Sequence, residues 1–176
     1  MENPKNPMLK PRIGKIVVNT CTGKSGEILE KAGNVLRELT GREPCVRQAK
    51  RTLRAFGIRR GEPIAYMVTL RGEKAEEFLR KALSAVGGRI SESSFEENGN
   101  FAFGIREHID IPGTSYNPQL GIFGMNVAVS MERSGYRIAR RRRCKSKVGM
   151  SHRVGKEETI DFIRGRFGAE VVRGVE

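Results

Sequence analysis

The sequence predicts an α+β fold, a largely antiparallel sheet with helices packed on one of its faces. Two segments carry apolar residues at helical spacing, and others alternate apolar and polar residues with a period of two. No linker rich in Gly, Ser or Pro divides the chain. Its 176 residues suit one domain over 1–176 with a core of its own.

Residues 1–11 hold three prolines and little apolar content, and read as an irregular N-terminal arm. RIGKIVVNT (12–20) reads as a strand, with Ile16 and Val18 on one face and Lys15, Val17 and Asn19 on the other. Ile28, Leu29, Ala32, Val35, Leu36 and Leu39 then form the apolar face of a helix that Gly41 ends. In the turn before it, Gly23 bends the chain and Ser25 is expected to help cap the helix. A short extended piece follows near 45–49. EPIAYMVTLRG (62–72) is the clearest strand: Ile64, Tyr66, Val68 and Leu70 face one way, Ala65, Met67, Thr69 and Arg71 the other. Between these two extended pieces the chain reads as a long basic hairpin loop.

Helical spacing returns at Ala75, Phe78, Leu79, Ala82, Leu83 and Val86, and Gly87-Gly88 stops it. Extended segments around the turn ENGN occupy 89–111, with Phe101, Phe103 and Ile105 alternating. Val127 and Val129 mark a further strand within 117–133. KEETIDFIRGRFG (156–168) is a last short helix, with Glu157 and Glu158 in the first turn, where the helix dipole favours acids.

Charge is the strongest functional signal. The net charge is +13, and its excess sits in two places. Residues 44–61 carry six Lys or Arg and no acid; the basic arm 133–156 carries ten and no acid; the remainder holds 17 basic and 20 acidic groups. A generally basic surface would spread its cations, whereas this concentration is the footprint of a polyanion-binding protein. The open sheet face adds Lys15, Asn19, Thr69 and Arg71, polar groups suited to phosphate and sugar. In the loop, Phe56 stands among arginines, an aromatic ring for a base beside guanidinium forks for phosphate. The bland alternative folds Phe56 back on the sheet and leaves the arginines solvated. RNA is favoured over DNA because no helix-turn-helix, zinc-finger or basic-zipper pattern appears.

Other classes fit less well. TCTGKSGE contains Gly-Lys-Ser between a strand and a helix, yet a phosphate-cradling loop needs a glycine where Val18 stands. Nucleotide hydrolysis therefore stays a minor alternative, as does RNA condensation by charge alone. His108 and His152 are the only histidines, and no catalytic spacing surrounds them. Cys21, Cys45 and Cys144 are scattered, which fits a reducing cytosol and supplies neither a disulfide framework nor a metal-ligand pattern. No apolar run approaches the about 18 residues of a membrane span, and no cofactor is implied.

Several long blocks carry a resemblance beyond these arguments. PRIGKIVVNTCTGKSGEILEKA, LTGREPCVRQAKRTLRAFGIRRGEPIAYMVTLRG, NGNFAFGIREHIDIPG, LGIFGMNVAVSMER and RRRRCKSKVGMSHRVGKEETIDF follow in order and cover nearly the whole chain after the arm. Together they closely resemble the universal large-subunit ribosomal protein five family in its archaeal and eukaryotic branch, with an archaeal leaning.

The resemblance implies a non-enzymatic constituent of the large ribosomal subunit's central protuberance. Its expected partners are 5S rRNA, 23S-type rRNA, peptidyl-site tRNA and neighbouring large-subunit proteins. It implies 5S rRNA contacts at Lys15, Asn19, Arg42, Thr69, Arg71 and Gly72, and a tRNA-contacting loop with Arg54, Phe56, Gly57, Arg59 and Arg60. Arg140, Arg141, Arg142, Arg143, Lys145, Lys147 and Arg153 of the arm are then expected to thread among rRNA helices.

Overall fold

A strand whose apolar residues alternate puts one row of side chains into the core and leaves the other row outside. Residues 12–21 and 63–70 both do so, and they lie side by side. The computed structural model describes residues 6–114 and 117–172. In it β1 (Arg12–Cys21) is the central strand of five. It pairs antiparallel with β3 (Pro63–Leu70) on one side and β6 (Met125–Glu132) on the other. β2 (Cys45–Gln48) and β5 (Phe101–Ile105) form the edges, so the order is β2-β3-β1-β6-β5. Every pairing in this sheet is antiparallel, as the sequence predicts.

The inner row of the sheet includes Ile16, Val18, Val68, Leu70, Val127, Val129, Phe101 and Phe103, all buried. Against it pack α1 (Glu27–Thr40), through Leu36, with Leu29, Ala32 and Val35 also buried, and α2 (Glu73–Ala85), through Ala75, Phe78, Leu79 and Ala82. Each fully buried Leu or Val contributes about 1.5–3 kcal/mol relative to exposure, which makes this interface the main source of stability. Gly41 ends α1 in the left-handed region, with its N–H on the Arg37 carbonyl. Gly33 inside α1 has a packing reason: the Tyr66 ring would lie 2.9 Å from a Cβ there.

The last helix, α4 (Lys156–Phe167), buries Thr159 and Ile163. Thr159 donates its hydroxyl to the Gly99 carbonyl at 2.9 Å, fastening α4 to the turn before β5. Glu157 and Glu158 occupy the first turn as expected.

Several features depart from the sequence reading or lie beyond it. Ile28, expected on the apolar face of α1, is 55% exposed, because it falls in the first turn at the margin of the buried stripe. Ser25 does not cap α1; its hydroxyl donates to Glu62 at 2.6 Å, and the helix begins at Gly26 without a side-chain cap. β4 (Arg89–Ser91) pairs in parallel with β7 (Glu170–Val172), a second small sheet of three-residue strands too short to show a period. A one-turn helix, α3 (Arg137–Arg140), opens the basic segment. Of the arm expected over 1–11, residues 1–5 lie outside the described residues, and Pro7–Leu9 form a 3-10 turn capped by the Asn6 side chain.

Candidate nucleic-acid interface

The outer row of the five-stranded sheet is the first element of the surface. Cross-strand register places Val17 opposite Thr69 and Ala128, and Asn19 opposite Met67 and Asn126. Lys15 lies opposite Ser130, Ala102 opposite Ala128, and Gly104 opposite Asn126. Toward β2 the face carries Arg47, whose guanidinium reaches the Met67 sulfur at 3.8 Å. This face is therefore cationic at one edge and flat, with small and amide side chains, at the other.

Glu132, at the end of β6, is buried and bonded to both Arg12 and Arg140. Gly14 makes room for it at a bulge in β1; a Cβ there would stand 2.7 Å from the Glu132 carboxyl carbon.

The expected 5S rRNA residues gather mostly at one corner. Arg42 donates to the Thr69 carbonyl at 3.4 Å, Arg71 is exposed just past the end of β3, and Gly72 turns into α2 with φ 66°. Lys15 sits one step beyond the Ile16–Leu70 pair, level with Arg71. Asn19 is farther along β1, where it shares a shallow cavity with Asn126, Arg106 and Gly104. Sequence reasoning missed Asn126 and Ser130, and placed Arg47 only within the acid-free run 44–61. The alternation in NVAVS held the signal for the first two, since Val127 and Val129 point inward and the residues between them must point out.

The loop joining β2 to β3 is the second element. It folds on itself through a Leu53–Ile58 bridge and a 3-10 turn at Arg54–Phe56, which Gly57 closes with φ 67°. Phe56 is 73% exposed, so it is not folded back on the sheet. Arg47, Lys50, Arg51, Arg54, Arg59 and Arg60 are all exposed, and none forms an ion pair among the described residues. Glu62, at the end of the loop, accepts the Arg59 backbone N–H and the Ser25 hydroxyl, and these bonds, with a smaller pull from the Arg59 charge, hold its carboxyl below the usual range.

The basic segment 133–156 is the third element, and it is a strap tied down at both ends. Arg133 is buried; its Nη2 donates to Glu158 at 2.6 Å and its Nη1 lies 3.4 Å from the carbonyls of Ser151 and Arg153. Tyr136 accepts the Val154 N–H at 3.1 Å, and a His152 ring nitrogen sits 2.8 Å from the Ser134 carbonyl. Arg140 pairs with Glu132, and Lys156 with Glu92. Arg137, Arg141, Arg142, Arg143, Lys145, Lys147 and Arg153 stay exposed, without an ion pair among the described residues. Three of the ten cations thus hold the strap in place, and seven face outward. Gathered cations cost repulsion that a polyanion relieves.

The Gly-Lys-Ser turn and His108 are engaged in local structure. Ser25, the hydroxyl a nucleotide loop would turn to magnesium, is held by the Glu62 carboxylate. Thr22 closes the same turn by donating to the Lys24 carbonyl at 2.8 Å. His108 is buried in a 3-10 turn and accepts the Phe123 N–H at Nδ1; burial pushes its pKa down despite the Glu38 and Glu107 carboxylates. Among the described residues no group of three or more His, Cys, Asp or Glu is placed to hold a metal ion.

A sheet with one bare face, beside two cationic projections free of acids, defines a structural protein shaped to lie against polyanions. The sequence agrees at family level. Residues 6–59 match the family described as ribosomal protein L5, and residues 63–162 match the C-terminal part of the same ribosomal family. The chain belongs to the ribosomal protein L5 family, which is structural and not enzymatic. It is similar to large ribosomal subunit protein uL5 of Sulfurisphaera tokodaii, at 54% identity over 96% of both chains. The protein of that name from Aeropyrum pernix is 54% identical over 96% of this chain and 88% of the relative. The one from Methanococcus maripaludis is 48% identical over 96% and 95%.

Proposed function

We propose that this chain is a structural constituent of the large ribosomal subunit in the cytoplasm, binding 5S rRNA and bridging it to 23S-type rRNA in the central protuberance. The open face of the sheet takes the 5S rRNA, through Lys15, Asn19, Arg42, Thr69, Arg71 and Gly72. The strap lies along 23S-type rRNA with its seven outward cations. The loop from Arg51 to Gly61 reaches peptidyl-site tRNA, Phe56 offering a ring and Arg54, Arg59 and Arg60 offering guanidinium forks.

The observation that carries this reading is selective neutralisation. The six cations of residues 44–61 and seven of the strap form no side-chain ion pair among the described residues, whereas the buried Arg133 and Glu132 are both paired. A surface shaped only for solubility would pair its crowded exposed cations first; a polyanion partner reverses that order.

Pull-down of the chain from cells tests it: 5S rRNA should co-purify at one copy per chain. In vitro, Thr69→Ala with Arg71→Ala weakens 5S rRNA binding, while Arg59→Ala with Arg60→Ala leaves it intact and disturbs tRNA contact. Binding to 5S rRNA should also fall steeply with salt, by a log–log slope of about 0.7–0.9 for each phosphate neutralised. Affinity indifferent to salt, or equal for unrelated RNA of the same length, defeats the proposal.

A further inference from the structure

Where the strap crosses the end of β6 it borders an open cavity of about 330 Å³. That lies at the small end of the roughly 300–1,000 Å³ range of ligand pockets, far from the dimensions of a groove for a nucleic-acid helix. Its walls come from three places in the chain: the turn before β5, the last residues of β6, and the strap. None of its lining residues is Asp or Glu.

The lining sorts into three kinds of chemistry. Met131, Ala139 and Val148 are apolar, and the Tyr136 ring stands beside them with its hydroxyl already committed to the Val154 N–H and the His152 carbonyl. These surfaces can only offer flat, apolar contact. Asn100 is different. Its Oδ1 accepts the Met131 N–H at 3.2 Å, which fixes the amide, and its Nδ2 donates to no described residue. Three cations complete the lining: Arg140, which is bonded to Glu132, and Lys147 and Arg153, exposed and without an ion pair among the described residues.

We propose that this cavity takes one unpaired nucleotide of the bound rRNA, base inward and phosphate at the mouth. The base lies against Tyr136, Val148 and Ala139, the Asn100 amide donates to an acceptor on its edge, and Lys147 with Arg153 holds its phosphate. A base within a duplex is stacked and cannot enter, so the site reads single-stranded character. The proposal rests on the strap being an rRNA-binding element and names what that element takes.

The test uses the full chain with labelled single-stranded homodecamers of the four ribonucleotides and a ten-base-pair RNA duplex, at low salt. Wild type should bind at least one single strand about tenfold more tightly than the duplex, the lower range of what one stacked base contributes. Ala139→Trp fills the cavity, and Asn100→Asp keeps the acceptor for Met131 N–H while removing the amide donor. Both should lower single-strand affinity to the duplex level and leave duplex and 5S rRNA binding unchanged. If Ala139→Trp fails to fold, Asn100→Asp decides.

Equal wild-type affinity for strand and duplex, or a preference that survives in the folded variants, overturns the cavity while leaving 5S rRNA binding standing. Loss of all RNA binding in wild type overturns the wider reading instead. A decaglutamate peptide that competes as well as the decamers assigns the groove to an acidic protein segment and overturns the proposal.

Discussion

Arg133 and its outward neighbours offer a sharp separation of roles within one cationic segment. The Arg133 side chain is 8% exposed, its guanidinium bonded to Glu158 and close to two backbone carbonyls, so it faces no solvent where RNA could lie. Removing one member of a buried pair costs about 3–5 kcal/mol when the other stays buried. Glu158 is 48% exposed, so water takes up its carboxylate and the cost for Arg133→Met drops to about 2–3 kcal/mol.

With a urea m-value of about 1–3 kcal/mol/M, the unfolding midpoint should fall by roughly 1 M. The salt slope of binding to 23S-type rRNA should not change. The companion variant joins Arg142→Ala, Arg143→Ala and Lys145→Ala, three exposed cations with no described hydrogen-bond partner; Arg141 is spared because its Nε donates to the Cys144 carbonyl. This variant should keep its stability within about 0.5 kcal/mol. Its salt slope should shrink by about 2–3, from three phosphates lost. The division fails if Arg133→Met flattens the slope at an unchanged midpoint, or if the triple variant unfolds the protein and leaves the slope alone.

Three further outcomes follow from single sites. Gly14→Ala pushes a methyl group into the Glu132 carboxylate at the β1 bulge and should cost about 1–3 kcal/mol in urea unfolding. Phe56→Ala should leave stability within about 0.5 kcal/mol, because the ring is exposed, yet weaken tRNA contact in a footprinting assay. His108 has its folded pKa depressed below the ordinary 6.5 by burial, so the unfolded chain takes up the proton first. Its contribution is complete above pH 6.5 and declines as pH falls toward the folded pKa, by at most about 1.4 kcal/mol per pH unit. Unfolding of His108→Gln followed from pH 7 to 5 should lack that component.

What could be read from the sequence divides along a physical line. β1, β3, α1 and α2 were legible because each is long enough for its period to repeat, and the period assigns the buried face except at its margins, where Ile28 is exposed and Ala65 is buried. The two acid-free segments were legible because charge is counted without knowing geometry. Pairing across distance was not. Nothing in Arg133 or Glu158 announces a bond over 25 positions, and Arg133 reads like any other arginine of the basic run. The β4–β7 pair was hidden for a similar reason, since three-residue strands have no period and their partnership is fixed by α4 packing on the core. Ser25 shows local rules being overridden: capping is the preferred role for a serine before a helix, but here Glu62 arrives from the β2–β3 loop and takes the hydroxyl.

The anchoring of the strap bears on how affinity is reached. A segment of 24 residues with ten cations and no acids would, left to itself, stay extended by self-repulsion. Ordering it on RNA would cost about 1–2 kcal/mol per residue in backbone entropy, subtracted directly from binding. Here the fold meets that cost beforehand, with Arg133 on Glu158, Tyr136 on Val154, His152 on Ser134 and Arg140 on Glu132 spaced along it. The few cations turned inward are what allow the rest to be presented in a fixed array. Fewer outward charges, already positioned, hold a folded polyanion better than the full ten on a loose chain, because only the surplus over ordering appears as affinity.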